Sequence, residues 1–312
     1  MSNEFIKTKC PCCGSSEIID EFPADNFRSE INVPASYTRC ASCGSLYMNP
    51  QMVLDERNSD YDERYRQTYE KLTKKIRRKS YRIFSCWMYG LLSGFSHVKL
   101  PRGDVAGSSL LDIGCGIGLQ TKLLNKRGVK ITGIDSSEQA IKLALEVNDG
   151  ENFICTNFSD FNNKEKFDFI RLDNVIEHIG NPNQLLCDTA EMLKHHGKLI
   201  IFTPNADSAS LKILRGKSVS AWPSEHIVLF SKKVLTDLLE KSGFEINRIR
   251  GNTPAWWLAY NFLMIIGVGK KVTADSVLLR LFSLFFLPVT YILNFLNLEE
   301  EIIIVARKRL HV

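Results

Sequence analysis

The stretch LLDIGCGIG, residues 110–118, constrains the fold of this chain more than any other. An apolar run ending in Asp112 and Ile113 feeds straight into Gly114, Gly116 and Gly118, and a helical pattern, 119–127, follows. Glycines at a strand-to-helix turn let the backbone approach a ligand closely, and the open helix N-terminus presents N–H groups to a carboxylate or phosphate. A second apolar run, KITGID at 130–135, ends in Asp135, an acid able to accept hydrogen bonds from both hydroxyls of a ribose. The two runs together predict a nucleoside-type ligand held at the carboxyl ends of neighbouring strands.

Further short apolar runs repeat the pattern: NFICT (152–156), FDFIRLD (167–173) and KLIIFTP (198–204), with helical segments at 138–147 and 182–194 between them. Strand alternating with helix predicts an α/β doubly wound, mostly parallel sheet. FEINRIRG (244–251) and EIIIVARKR (301–309) read as the last two strands, paired as neighbours around 49 intervening residues, far more than an ordinary connection. Ala255 to Gly269 carries no charge, and Leu281 to Leu298 is an uncharged run of 18 residues broken by Pro288. At 312 residues the chain predicts about two domains: a cysteine module over 1–55, a helical cap or linker over 56–104, and a ligand-binding domain over 105–312 with a hydrophobic insertion at 252–300.

Nine cysteines accompany an N-terminus, MSNEFIKTKCPCCG, that lacks the apolar core of a secretory signal. The expectation is a cytoplasmic protein with free thiols. Cys10 and Cys13 form one C-x-x-C knuckle and Cys40 and Cys43 another, 26 residues apart, each followed by a glycine. Four such sulfurs make a closed tetrahedral site for structural zinc, with Cys12 a spare or an alternative ligand. Reduced, metal-free surface thiols are the plain alternative.

The spacing G-x-G-x-G departs from the nicotinamide fingerprint, which wants a glycine where Leu119 stands. Preceded by Asp112, it resembles motif I of class I S-adenosylmethionine-dependent methyltransferases. GIDSSEQAI resembles the family's second motif, and FDFIRLDNVIEHIGNP and LKHHGKLIIFTPN resemble the segments around its fourth and fifth strands. SEHIVLFSKKVLTDLLEKSGFEI resembles the late motif of the ubiquinone-O-methyltransferase-like branch, in which zinc-binding modules ahead of the domain also occur. The resemblance covers about residues 105–250 and the last strand. It implies a seven-stranded Rossmann-like sheet and an S-adenosylmethionine site formed by Asp112, Gly114, Cys115, Gly116, Gly118, Asp135, Ser136, Asn157, Phe158, Asp173 and Asn174. Asn157 stands where the family usually has an acid beside the adenine amino group.

Methyl transfer requires an aligned acceptor and removal of its proton. In the loop after the fourth strand His178 is the candidate general base, because imidazole titrates near neutral pH. The alternative is that it caps a helix or lines the cofactor pocket. His226, flanked by Trp222 and Glu225, is the second candidate. The net charge of +5 is concentrated: Lys71 to Arg82 holds seven cations and no anion, and the remainder of the chain carries −2. Such a distribution disfavours a nucleic-acid groove. With the apolar insertion it predicts peripheral contact with the inner face of a membrane through 71–95 and 252–300. The family resemblance implies a small or lipid-linked acceptor, such as a surface-polysaccharide sugar or an isoprenoid hydroxyl. A lid or a dimer interface would use the insertion equally well. An rRNA methyltransferase and a cofactor-binding scaffold without turnover are the competing functions.

Overall fold

The computed structural model describes residues 5–24, 36–52, 105–118, 121, 124, 127–148, 152–162, 164–222, 225–269, 272 and 276–309. The predicted cap over 56–104, including the basic run 71–82, lies outside the described residues.

Seven strands form the central sheet: β6 (Ser109–Ile113), β7 (Lys130–Asp135), β8 (Asn152–Cys155), β9 (Phe167–Asp173), β10 (Leu193–Pro204), β12 (Phe244–Asn252) and β13 (Glu301–Lys308). The order across the sheet is β12-β13-β10-β9-β6-β7-β8. All neighbours from β8 to β10 pair in parallel, and β13 alone runs antiparallel, wedged between β10 and β12. The chain winds outward from β6 through β7 to β8, then returns to β9 on the other side of β6. That reversal makes the carboxyl ends of β6 and β9 the crevice where ligands bind in open α/β sheets. This is the Rossmann-like methyltransferase arrangement expected from the sequence.

Alternation along the strands explains the two layers. Leu111, Ile113, Leu199 and Ile201 pack on one face with the helices α2 (Pro182–Met192) and α4 (Lys232–Lys241). Leu110, Ile200 and Phe202 pack on the other with Val105, Leu124 and Ile131. Ser137 caps the helix α1 (Glu138–Val147) by accepting from Ala140 N–H, and Asn181, followed by Pro182, caps α2 in the same way.

A second sheet, order β11-β4-β3-β2, is built by β2 (Ile18–Pro23), β3 (Ser36–Cys40) and β4 (Leu46–Asn49) of the cysteine module, with β11 (Val228–Leu229) added from the larger domain. The short pair β1 (Phe5–Ile6) and β5 (Gln51–Met52) closes the module. The module is therefore welded to the main domain. Cys10, Cys12, Cys40 and Tyr47 belong to the same buried cluster as Leu185 and Leu235, and Asn183 donates to the Cys12 carbonyl at 3.1 Å.

The insertion folds as two helices, α5 (Ala255–Ile265) and α6 (Val277–Phe295), after the short α3 (Ala209–Leu214) and ahead of β13. The break expected at Pro288 does not occur: α6 continues through it. Proline removes a single backbone donor, the one that would reach the Leu284 carbonyl, and the remaining bonds of the helix carry it through the turn; the Thr290 hydroxyl separately donates to the Leu287 carbonyl at 2.7 Å. Ala259, Leu263 and Leu279 form the small core between the two helices.

Candidate active site

The glycine loop leaves β6 with Gly114, Gly116 and Gly118 all at positive φ (67°, 53° and 63°), a region that a side chain strains. Space is tight as well: a Cβ on Gly114 would lie 2.5 Å from Cγ2 of Val175, in the loop after β9. Asp135, 5% exposed, ends β7 and accepts from Gly116 N–H and Ser137 N–H, both at 2.9 Å. Its carboxylate thereby ties the loop to the start of α1. Ser136 beside it is exposed, and the Cys115 thiol turns back toward the Gly116 carbonyl. Burial pushes that thiol well above the ordinary cysteine range. At the end of β8 the exposed Asn157 amide donates to Asp160 at 3.4 Å, so an acid does stand at this edge, three residues beyond the expected place. Phe158 packs half-buried against the core.

Asp112 is placed differently from its expected role at the ligand. It is fully buried and joined to Arg171, its register partner on β9, by two bonds: Nε to Oδ1 at 2.8 Å and Nη2 to Oδ2 at 2.6 Å. Asp112 thus locks β6 to β9 directly under the crevice. The signal was in the sequence, because a lone arginine inside the apolar run FDFIRLD needs an acid partner, and LLDIG holds one.

At the carboxyl end of β9, Asn174 adopts positive φ (54°), donates from its side chain to Asp173 at 3.0 Å, and turns the chain into a 3₁₀ turn, Ile176–His178. That turn carries Glu177 inward. Glu177 is fully buried, its Oε2 accepts from the Thr203 hydroxyl at 2.9 Å, and burial pushes its carboxyl up to about 8. The His178 and His226 rings face each other edge-on with centroids 5.0 Å apart. Nδ1 of His178 lies 2.9 Å from the Glu225 carbonyl, and Nδ1 of His226 lies 2.8 Å from the Ser220 carbonyl. Because a carbonyl only accepts, each Nδ1 carries a hydrogen, and the lone pair of the neutral ring sits on Nε2. Both predicted bases therefore meet in one corner, and Glu177, given no role from the sequence, joins them.

The cysteine module reaches this corner from behind. The fully buried Tyr37 donates its hydroxyl to the His226 carbonyl at 2.8 Å, and Met48 N–H donates to the Ile227 carbonyl at 2.9 Å. Within the module, Cys10 and Cys43 lie 3.6 Å apart, as do Cys13 and Cys40, and all four sulfurs lie within 4.8 Å of one another. These separations are near the ~3.8 Å edge of a tetrahedron with metal–sulfur bonds of ~2.3 Å. Cys12 points its thiol toward Cys10 and Cys43, holding Cys43 down at about 4 and Cys10 at about 6, while its own proton is held far above the usual range. It fits a supporting donor better than a fifth ligand.

On the far side, Asn261 of α5 accepts from Val219 N–H at 2.8 Å, so the insertion adjoins the segment that leads to His226. The outer side of α6 is apolar and uncovered: Val277 is 69% exposed, Leu281 59%, Phe285 73%, Ile292 56% and Phe295 85%, a stripe at helical spacing.

The sheet order, the glycine loop at its switch point and the acid at the end of β7 define a class I methyltransferase. A family model described as a methyltransferase domain matches residues 58–249. The chain belongs to that family and is an S-adenosylmethionine-dependent methyltransferase. Among curated relatives it is similar to the ubiquinone biosynthesis O-methyltransferase of Rickettsia typhi, 25% identical over 66% of this chain and 96% of the relative. It is also similar to that of Nitrobacter winogradskyi, 32% identical over 47% and 60% respectively. Among solved structures, a putative methyltransferase from Haloferax volcanii, determined with its methyltransferase activator, superposes with a TM-score of 0.50 at 13% identity, over 77% of this chain and 98% of that one.

Proposed function

We propose that the protein transfers a methyl group to a hydroxyl of a small or lipid-linked acceptor, and that the acceptor's proton is withdrawn in the corner made by Glu177, His178 and His226. The observation that carries this reading is contiguity. The cofactor loop and the acceptor loop touch, since the missing Cβ of Gly114 would overlap Val175, two residues before Glu177. When bound, S-adenosylmethionine supplies an electrophilic methyl group on a good leaving group. The backbone of Gly114, Cys115, Gly116 and Gly118 receives its amino-acid end, Asp135 and Ser136 its ribose, and Asn157 and Phe158 its adenine. Asp173 and Asn174 line the passage toward the methyl group, and Asp112 acts from beneath by fixing Arg171.

His178 is the residue we assign to the proton, because it is half-exposed while His226 is 7% exposed. The carbonyl on its Nδ1 orients the ring so that Nε2 is the basic nitrogen. The four cysteines hold a structural zinc ion, with no open position for chemistry.

The lipid-linked acceptor and a peripheral place on the membrane rest on the exposed stripe of α6, with Phe262 and Ile265 exposed on the preceding helix and seven cations in 71–82 of the sequence. Nothing observed favours the rRNA or scaffold alternatives. Incubation with methyl-labelled S-adenosylmethionine and fractionated lipids, glycans and RNA tests the reading. Label in a lipid or glycan fraction is expected; label confined to RNA, or cofactor binding without transfer to any fraction, would overturn it.

A further inference from the structure

We propose that α5 and the segment 218–220 form a recognition subsite for the acceptor, in which Ser220, Asn261 and Trp257 donate hydrogen bonds to neutral oxygen atoms, hydroxyl or carbonyl, carried on a ring. The proposal rests on the reading that the corner at His226 faces the acceptor, and it deepens that reading. Val219 N–H can only donate, so the Asn261 atom lying 2.8 Å from it is Oδ1, and Nδ2 is the other end of the amide. Asn261 is buried, and among the described residues its Nδ2 has no hydrogen-bond partner. Ser220, fully buried, spends both backbone groups. Its N–H donates to the Ser218 hydroxyl at 3.2 Å and its carbonyl accepts from Nδ1 of His226 at 2.8 Å, while among the described residues its own hydroxyl has no partner. Trp257 stands one turn before Asn261 on the buried face of α5, and its indole N–H is likewise unpartnered among the described residues. Buried donors are almost always satisfied, so three of them on one helical turn and the segment it touches point to a ligand that supplies lone pairs.

The donors limit what that ligand can be. A cation would meet only N–H and O–H groups. An anion would meet an acid: Glu300, fully buried, accepts from the Ser210 hydroxyl, which lies 2.8 Å from the Ser218 hydroxyl on which Ser220 rests. Neutral hydroxyl and carbonyl oxygens offend neither side. Because the Ser220 carbonyl also holds His226, a ring anchored on the Ser220 hydroxyl sits at a fixed place relative to the corner where the proton leaves. Room for the ring comes from the insertion. Its small core, Ala259, Leu263 and Leu279, is separate from the clusters that hold the central sheet, so α5 and α6 can shift outward as a pair without opening that sheet.

The test uses the full chain with S-adenosylmethionine present and needs no turnover. Methyl glucoside and phenol, two neutral rings bearing hydroxyls, are titrated in and followed by saturation-transfer NMR, beside their anionic counterparts glucuronate and benzoate. Binding of a neutral probe in preference to its anion is expected, and which of the two binds tells a sugar ring from an aromatic one. Ser220→Ala and Trp257→Phe each delete one donor and keep the surrounding shape, and each should weaken that probe about threefold to tenfold. Neither should lower the melting temperature, because no bond within the protein is lost, and calorimetric S-adenosylmethionine affinity should stay unchanged. Binding of the anions alone, binding of no probe, or a neutral probe held equally by parent and variants overturns the subsite. A lower melting temperature at unaltered probe affinity also overturns it, since that is the mark of a purely structural residue. Methyl transfer is scored separately: a parent that holds a neutral probe yet labels no lipid or glycan fraction strikes the proposed reaction and leaves the subsite standing.

Discussion

Replacing Arg171 with methionine removes one half of a buried ion pair under the ligand crevice. The side chains of Arg171 and Asp112 are only 5% and 1% exposed, and two guanidinium bonds, at 2.8 and 2.6 Å, end on that carboxylate. Leaving Asp112 alone strands a charge between two central strands, at a cost of about 3–5 kcal/mol. Against a total stability of order 5–15 kcal/mol, that is a third or more. Replacing both residues, as Asp112→Leu with Arg171→Met, removes both charges and should recover most of the loss. The pH dependence has a definite sign. Burial already pushes the Asp112 carboxyl up from its ordinary value against the pull of the guanidinium. Without Arg171 that carboxyl binds a proton more readily still, so the deficit should be largest at alkaline pH and shrink as acid neutralises Asp112. Urea unfolding of the parent, both single variants and the double variant, at several pH values, measures this. A single Arg171→Met loss below about 1 kcal/mol, or a double variant no more stable than the singles, would refute the reasoning.

Gly114→Ala should cost about 1–3 kcal/mol in thermal unfolding, from its positive φ and from overlap with Val175, and Val175→Ala should return the steric part alone. Tyr37→Phe deletes the bond to the His226 carbonyl, so a loss of about 1–3 kcal/mol and a lower kcat are expected, with the dissociation constant for S-adenosylmethionine unchanged in calorimetry. On the proposed zinc occupancy of the four cysteines, chelation should release β4 from β11 and abolish methyl transfer while cofactor binding persists, read by paired activity and calorimetric assays. Phe285→Ser with Phe295→Ser should reduce flotation with anionic liposomes at low salt; flotation of the parent no greater than that of the double variant would contradict membrane contact through α6.

The central sheet was readable in advance because its strands are short apolar runs bounded by polar helices. Each expected strand from 109 to 204 appears, although β10 begins at Leu193, five residues before its apolar core. The corner was half legible. His178 and His226 were singled out by chemistry, but 47 residues separate them, and their meeting depends on how β11 pairs with β4. Tyr37 could not be assigned at all, since its partner is a backbone carbonyl 189 positions away. The ion pair of Asp112 with Arg171 was not legible in the motif, because motif spacing reports which strand end a residue occupies, whereas the cross-strand register decides what its carboxylate bonds. Pro288 misled in another way: proline lowers helix propensity, yet packing of α6 on α5 and the surrounding turns outweigh one missing bond.

Titrating S-adenosylmethionine into the parent and into Asp135→Ala by calorimetry bears most directly on the whole account. The carboxylate between Gly116 and Ser137 should make the parent bind with one site per chain and the variant at least tenfold more weakly, as expected when charge-assisted bonds of about 1.5–3 kcal/mol are lost. Equal affinity in the two proteins, or no binding to the parent, would contradict it.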